Sequence, residues 1–103
     1  MREKNIQNDI RLAISTIAVV FRANVGRFIT NDGRYIQTGL PNGFSDLFGF
    51  LKKDGRAFFL EVKTDKGRLS KEQSNFLEQM SKYGAITGVV RSVEEAMEVL
   101  SNG

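Results

Sequence analysis

The chain has 103 residues, of which 41% are hydrophobic, enough for one small domain over residues 1–103 with a modest core. It has no cysteine, which excludes a disulfide framework and thiolate metal sites, and no histidine, which removes the commonest zinc ligand and general base. Chemistry therefore falls to carboxylates, lysine and hard metal ions, while a formal charge of +3 suits a polyanionic partner without demanding one.

In chain order, the first element expected is an amphipathic helix over residues 3–18. Ile6, Ile10, Ala13, Ile14 and Ile17 recur at helical spacing, and Glu3, Lys4, Asn8, Asp9 and Arg11 fill the other faces. The longest apolar stretch, "IAVVF" at 17–21, is far short of a membrane span, and "MREKNIQND" lacks a signal-peptide core, so a soluble, cytoplasmic protein is expected. β-Branched and aromatic residues take over in "VVFRANV". In "RFITNDGRYIQT", Asp32-Gly33 stands between two half-apolar runs, the chemistry of a tight hairpin. "TGLPNGFSD", with the only proline and two glycines, reads as a loop that closes in on something.

"LFGFLKKDGRAFFLEVK" is a second expected hairpin, turning at Asp54-Gly55. Ser70 and Gln73 form an S-x-x-Q capping box for a helix running to Lys82 or Tyr83, with Gly84 as its left-handed stop and Phe76, Leu77, Met80 and Tyr83 on its buried side. "AITGVVRS" is a further strand. Ser92 with Glu95 repeats the capping box for a last helix bearing Val93, Ala96, Met97 and Leu100. The order predicts an α/β fold, a mixed sheet flanked by helices, with residues 57–91 as a parallel strand-helix-strand crossover.

Alternation in the strand "AFFLEVK" puts Phe58, Leu60 and Val62 on one face and Glu61 and Lys63 on the other. If Asp54 and Gly55 are the two central turn residues, Lys53 faces Arg56 and Asp46 pairs with Lys63, on the same face. Glu61 is then the diagonal neighbour of Asp46, about 7–8 Å away, close enough for both carboxylates to hold one cation. An odd-length turn would send Asp46 to the wrong face. Two carboxylates, with the Val62 backbone carbonyl as a further oxygen, suit Mg²⁺ or Mn²⁺, and Lys63 would bring positive charge to the attacking water or to the transition state of phosphodiester hydrolysis.

By itself an E-x-K triplet is weak, since chance produces one in about a third of chains this long. Alone, Glu61 and Lys63 would be a solvated edge face, Asp46 a turn residue, Gln73 a helix cap, and Glu3 and Gln7 ordinary helix formers. The combination is more specific. In "EKNIQNDI", "RANVG", "GFSDLFGF", "DGRAFFLEVKTDKGRLSKEQ" and "YGAITGVVRSVEEAMEVL", nearly the whole chain resembles a stand-alone VRR-NUC domain of the PD-(D/E)XK nuclease superfamily.

The resemblance implies a restriction-endonuclease-like fold and a Mg²⁺- or Mn²⁺-dependent endonuclease. Asp46 and Glu61 match the metal-binding acids, Lys63 the catalytic lysine, and Gln73 the helix glutamine near the scissile phosphate. Glu3 matches the first-helix acid that completes the metal site, with Gln7 beside it. Ser45 stands where the family often has proline, a position that shapes the loop rather than ligating metal. Lys66, Arg68 and Lys71 become candidate contacts to a DNA backbone, with Arg22, Arg27, Arg34 and Lys52 as possible extensions of that surface. Small stand-alone members imply a homodimer acting on branched DNA, such as four-way junctions or flaps. Two rival expectations are a DNA-binding module of the same fold without turnover and an interaction domain with no nucleic-acid partner.

Overall fold

The computed structural model describes residues 3–23, 27–37 and 39–103; the side chains of Glu3, Lys4, Arg27, Phe28, Tyr35, Ile36 and Gln37 lie outside that description. The elements are α1 (Glu3–Ile14), β1 (Ala18–Arg22), β2 (Arg27–Ile29), β3 (Tyr35–Gln37), β4 (Leu47–Leu51), β5 (Ala57–Val62), α2 (Lys71–Lys82), β6 (Ile86–Val90) and α3 (Val93–Asn102). β1, β4, β5 and β6 form one sheet in that order. The β1–β4 and β4–β5 pairs are antiparallel, and β5–β6 is parallel, as the crossover over residues 57–91 requires. β2 and β3 form a separate two-stranded hairpin.

The first helix ends at Ile14, four residues earlier than expected. The Ser15 and Thr16 hydroxyls donate back to the carbonyls of Leu12 and Ala13, and the chain turns there so that Ala18 can begin the edge strand. Ile17 still packs against the core, from the turn instead of the helix.

α2 starts and stops where its sequence signals stand. Ser70 Oγ accepts the Gln73 N–H at 3.1 Å, Gln73 Oε1 accepts the Ser70 N–H at 2.9 Å, and Gly84 takes the left-handed φ of 95° beyond the last turn. Leu77 is buried on this helix, but Tyr83, expected on the same side, is 81% exposed because it occupies the C-cap, where the helical stripe has ended. α3 keeps half of its expected box. Ser92 caps the Glu95 N–H, while Glu95 Oε1 accepts instead from the Arg91 N–H at 2.6 Å.

One face of the sheet is sealed and, apart from Phe58, aliphatic. Leu47, Leu51, Phe58, Leu60, Val62, Ile86 and Val90 meet Ile10 and Ile14 of α1 and Ala96 and Leu100 of α3, all at most 5% exposed. The other face is aromatic. Phe44 packs edge-on against Phe48 and Phe59 and lies 4.7 Å, centroid to centroid, from Phe76 of α2, which in turn meets Phe59 edge-on.

The β2–β3 turn centres on Asn31, Asp32 and Gly33, closed by the Thr30 N–H on the Arg34 carbonyl at 2.8 Å. Asp32 there is held below the usual carboxylate range by the Thr30 hydroxyl first and the Arg34 guanidinium second.

Candidate active site

The β4–β5 hairpin sets the site, and its loop is longer than the sequence suggested. Leu51 N–H donates to the Arg56 carbonyl at 2.9 Å, so residues 52–55 form a four-residue loop in place of a two-residue turn. Leu47 therefore pairs with Leu60, and one further step puts Asp46 opposite Glu61 instead of Lys63. The change is by two residues. Because side chains alternate with period two, Asp46 keeps its face, and the two acids become direct rather than diagonal neighbours.

A backbone bond fixes this meeting. Val62 N–H, from the residue between Glu61 and Lys63, donates to Asp46 Oδ2 at 2.9 Å, and Ala23 N–H extends the β1 pairing to the Asp46 carbonyl at 2.9 Å. Ser45 is fully buried, and its hydroxyl donates to the Leu47 carbonyl at 3.0 Å, a bond within the segment that carries Asp46. Gly43 lets the same loop lie against the start of α2. Its φ of 88° is left-handed, and a Cβ there would sit 2.5 Å from the Glu72 carbonyl oxygen.

Glu61 is 1% exposed, and its Oε1 accepts from Gln73 Nε2 at 3.1 Å. Gln73 thus fills the capping role expected of it and adds a contact to Glu61. Its oxygen caps the helix and its nitrogen holds the buried acid.

The aromatic face explains why these three side chains converge. Phe44 lies two residues before Asp46, Phe59 two before Glu61, and Phe76 three after Gln73, on the same face of α2. Packing those rings together brings Asp46, Glu61 and Gln73 to the same end of the sheet. None of these rings was singled out as a positioning device from the sequence. The signal available was their phase, each at even or helical spacing from an acid or amide already suspected.

Lys63 follows at the end of β5, half-buried, with its N–H on the Val90 carbonyl at 3.1 Å. Lys66, Arg68 and Lys71 are exposed on the loop and helix start beyond it. Gln7 is half-buried on α1, while the expectations for the Glu3 and Arg27 side chains fall outside the described residues. Arg22 is exposed at the end of β1. Two further cations are engaged locally: Lys52 Nζ donates to the Ser15 carbonyl at 2.9 Å, and Arg34 pairs with Asp32 at 3.0 Å. Nothing local in the sequence singles out Arg91, whose guanidinium crosses from the end of β6 to the Thr64 carbonyl.

As a donor set, Asp46 and Glu61 are hard oxygens on neighbouring strands. Among the described residues no group of three or more Asp, Glu, His or Cys converges. Two carboxylates with the remaining positions left to water and substrate is a set that fits Mg²⁺ or Mn²⁺ and does not fit a closed structural metal site.

A mixed four-stranded sheet flanked by three helices makes this a restriction-endonuclease-like α/β domain. Residues 23–94 match the family model described as the VRR-NUC domain, and the chain belongs to that family. A solved structure titled "VRR_NUC domain" superposes with a TM-score of 0.67 at 22% identity, covering 96% of this chain and 94% of its own. No curated protein matches. Family membership makes the chain a nuclease-like module that acts on DNA. Among the described residues no helix is long and apolar enough to cross a membrane.

Proposed function

We propose that the protein is a metal-dependent endonuclease that hydrolyses DNA phosphodiester bonds, with Asp46, Glu61, Lys63 and Gln73 as its catalytic groups. The observation that carries this reading is the bond from Val62 N–H to Asp46 Oδ2, which ties one acid to the backbone between the other acid and the lysine. Asp46 and Glu61 would hold Mg²⁺ or Mn²⁺, with the Val62 carbonyl as an added oxygen and Glu3 as a further acid from α1. Such an ion, when bound, supplies an activated water and neutralises charge on the phosphate.

The chain's own residues do the rest. Gln73 keeps Glu61 in one orientation, so the acid is set before substrate arrives. Lys63 presents a compact positive charge to the phosphoryl oxygens as water adds to phosphorus and one P–O ester bond breaks. Lys66, Arg68 and Lys71 neutralise flanking phosphates and set the position of the strand without reading its sequence.

The substrate in this reading is branched DNA, a four-way junction or a flap, cut by a homodimer whose two sites make two symmetric nicks in the cytoplasm of a bacterial or phage-infected cell. The test is a cleavage panel of four-way junction, flap, single strand and linear duplex, with Mg²⁺ or Mn²⁺, for the natural chain and Asp46→Ala. Divalent-dependent cutting lost in the variant is expected. If the two proteins behave alike while both bind DNA, the enzyme reading fails and the binding module stands. Equal rates on junction and duplex would remove the branched-DNA preference alone.

A further inference from the structure

We infer that Arg91 and Gly67 are positioning residues for Lys63, acting through the Thr64 carbonyl; the catalytic meaning of this rests on the nuclease reading above. The Thr64 carbonyl accepts the Gly67 N–H at 3.0 Å, closing the turn that follows the active strand, and it also accepts from the Arg91 guanidinium. Two donors on one oxygen fix where that turn lies. The turn in turn lays Gly67 along the Lys63 stem, so close that a Cβ on Gly67 would sit 3.2 Å from both Cβ and Cδ of Lys63. A side chain at this position would press on the aliphatic stem, which would have to give by a few tenths of an ångström.

Arg91 is itself held from behind. Its N–H is bonded to Glu95 Oε1 in the first turn of α3, which explains why Glu95 gives up the capping partner its sequence predicted. The path runs from α3 through Arg91 and the Thr64 carbonyl to Gly67 and the lysine stem. A lysine has four rotatable side-chain bonds, and packing its stem restricts the ammonium before substrate binds.

A rival role for Arg91 is direct contact with a phosphate, since it borders a recess of about 430 Å³ with Asp65, Lys66, Gly67 and Arg68. The two roles part experimentally. Arg91→Met and Gly67→Ala are each compared with the natural chain in four measurements. These are plasmid-nicking kcat and KM, DNA affinity against salt, thermal unfolding, and the order of the Lys63 side chain by NMR of ¹³C-labelled lysine.

The expected result is a fall in kcat of about 10- to 100-fold, by analogy with the outer-sphere partners of metal ligands. KM and affinity should stay within about twofold; the Lys63 signals should become motionally averaged in Arg91→Met and should shift in Gly67→Ala, where the added methyl displaces the stem. Lys63 signals unchanged in order and position in both variants would overturn the inference whatever the activity does. A loss of affinity with the salt slope reduced by about 0.9 would make Arg91 a phosphate contact instead. Gly67→Ala keeps Arg91 and decides the matter if Arg91→Met does not fold. Failure of the nuclease reading looks different: the natural chain and Lys63→Met then cut alike, while the NMR comparison still reports whether Lys63 is held.

Discussion

On one side of the sheet, Phe58, Leu60 and Val62 meet α1 and α3 through side chains that exclude solvent completely. On the other, Phe44, Phe48, Phe59 and Phe76 form a half-buried ring cluster, and beyond it Phe21 and Phe50 are 48% and 42% exposed. The aliphatic side buries area in a close-packed layer, which is where stability comes from. The aromatic side buries less, yet each of three rings is tied to a polar residue two or three positions away. Aromatic side chains have only two χ angles and prefer defined edge-on geometries, so they suit holding neighbouring backbone segments in register. Stability and position are therefore assigned to opposite faces of one strand, β5.

The sharpest way to break this division is to neutralise the acids without moving them. Asp46→Asn and Glu61→Gln are expected to lower nicking by about a thousandfold, comparable to losing a group that stabilises charge at the reacting centre. Thermal unfolding should be little changed for either, since the shapes are kept. Parallel nicking and unfolding measurements check this, and a variant that unfolds readily would mean the acids belong to the structural face after all.

Next in size is the reverse pattern. Leu60→Ala should lower stability by about 2–5 kcal/mol, because it opens a cavity in the sealed layer. Its folded fraction, assayed well below the unfolding midpoint, should still cut at close to the natural rate. Denaturant unfolding and nicking per folded molecule together test it. If activity per folded molecule drops as far as for Glu61→Gln, the faces are not separable.

Gln73→Glu probes the one residue that serves both purposes. A glutamate still caps α2 by accepting the Ser70 N–H, but it cannot donate to Glu61 and sets a second carboxylate beside it. Activity is expected to fall about 10- to 100-fold, by analogy with outer-sphere partners of metal ligands, with helix content intact by circular dichroism. Loss of helix with no loss of cutting would reduce Gln73 to a cap.

Much of this architecture could be read from local chemistry, and what could not has physical reasons. Caps, the Gly84 stop and strand alternation each depend on residues within one turn or one strand, so the α2 boundaries and the face of Glu61 came out as expected. The hairpin loop did not, because Asp-Gly fits the end of a four-residue loop as well as the centre of a two-residue one. The error happened to be even, which preserved the site. Both misses extended a helical stripe past a terminus, set at α1 by the Ser15 and Thr16 hydroxyls and at Tyr83 by the C-cap and left-handed Gly84. Arg91 was invisible because its partner, Thr64, is 27 residues away across a parallel pair, where no local spacing signals contact.

The smallest expected effect comes from the β2–β3 turn, which belongs to neither face. Asp32 and Arg34 pair at 3.0 Å with both side chains mostly exposed, and Arg34 had been a possible extension of the DNA surface. The Asp32 carboxyl is held below its ordinary value, so whatever stability it adds is present above the unfolded carboxylate range and is lost as pH falls through the lower folded value. Full exposure and salt screening keep that contribution small. Asp32→Asn should therefore leave nicking within about twofold and erase only a slight, salt-sensitive difference in unfolding between neutral and acidic pH. If instead the variant gains DNA affinity, releasing Arg34 from its partner has turned a locally satisfied cation into a phosphate contact. The DNA surface would then extend to this hairpin, beyond the end of β5 that carries Glu61 and leads into Lys63.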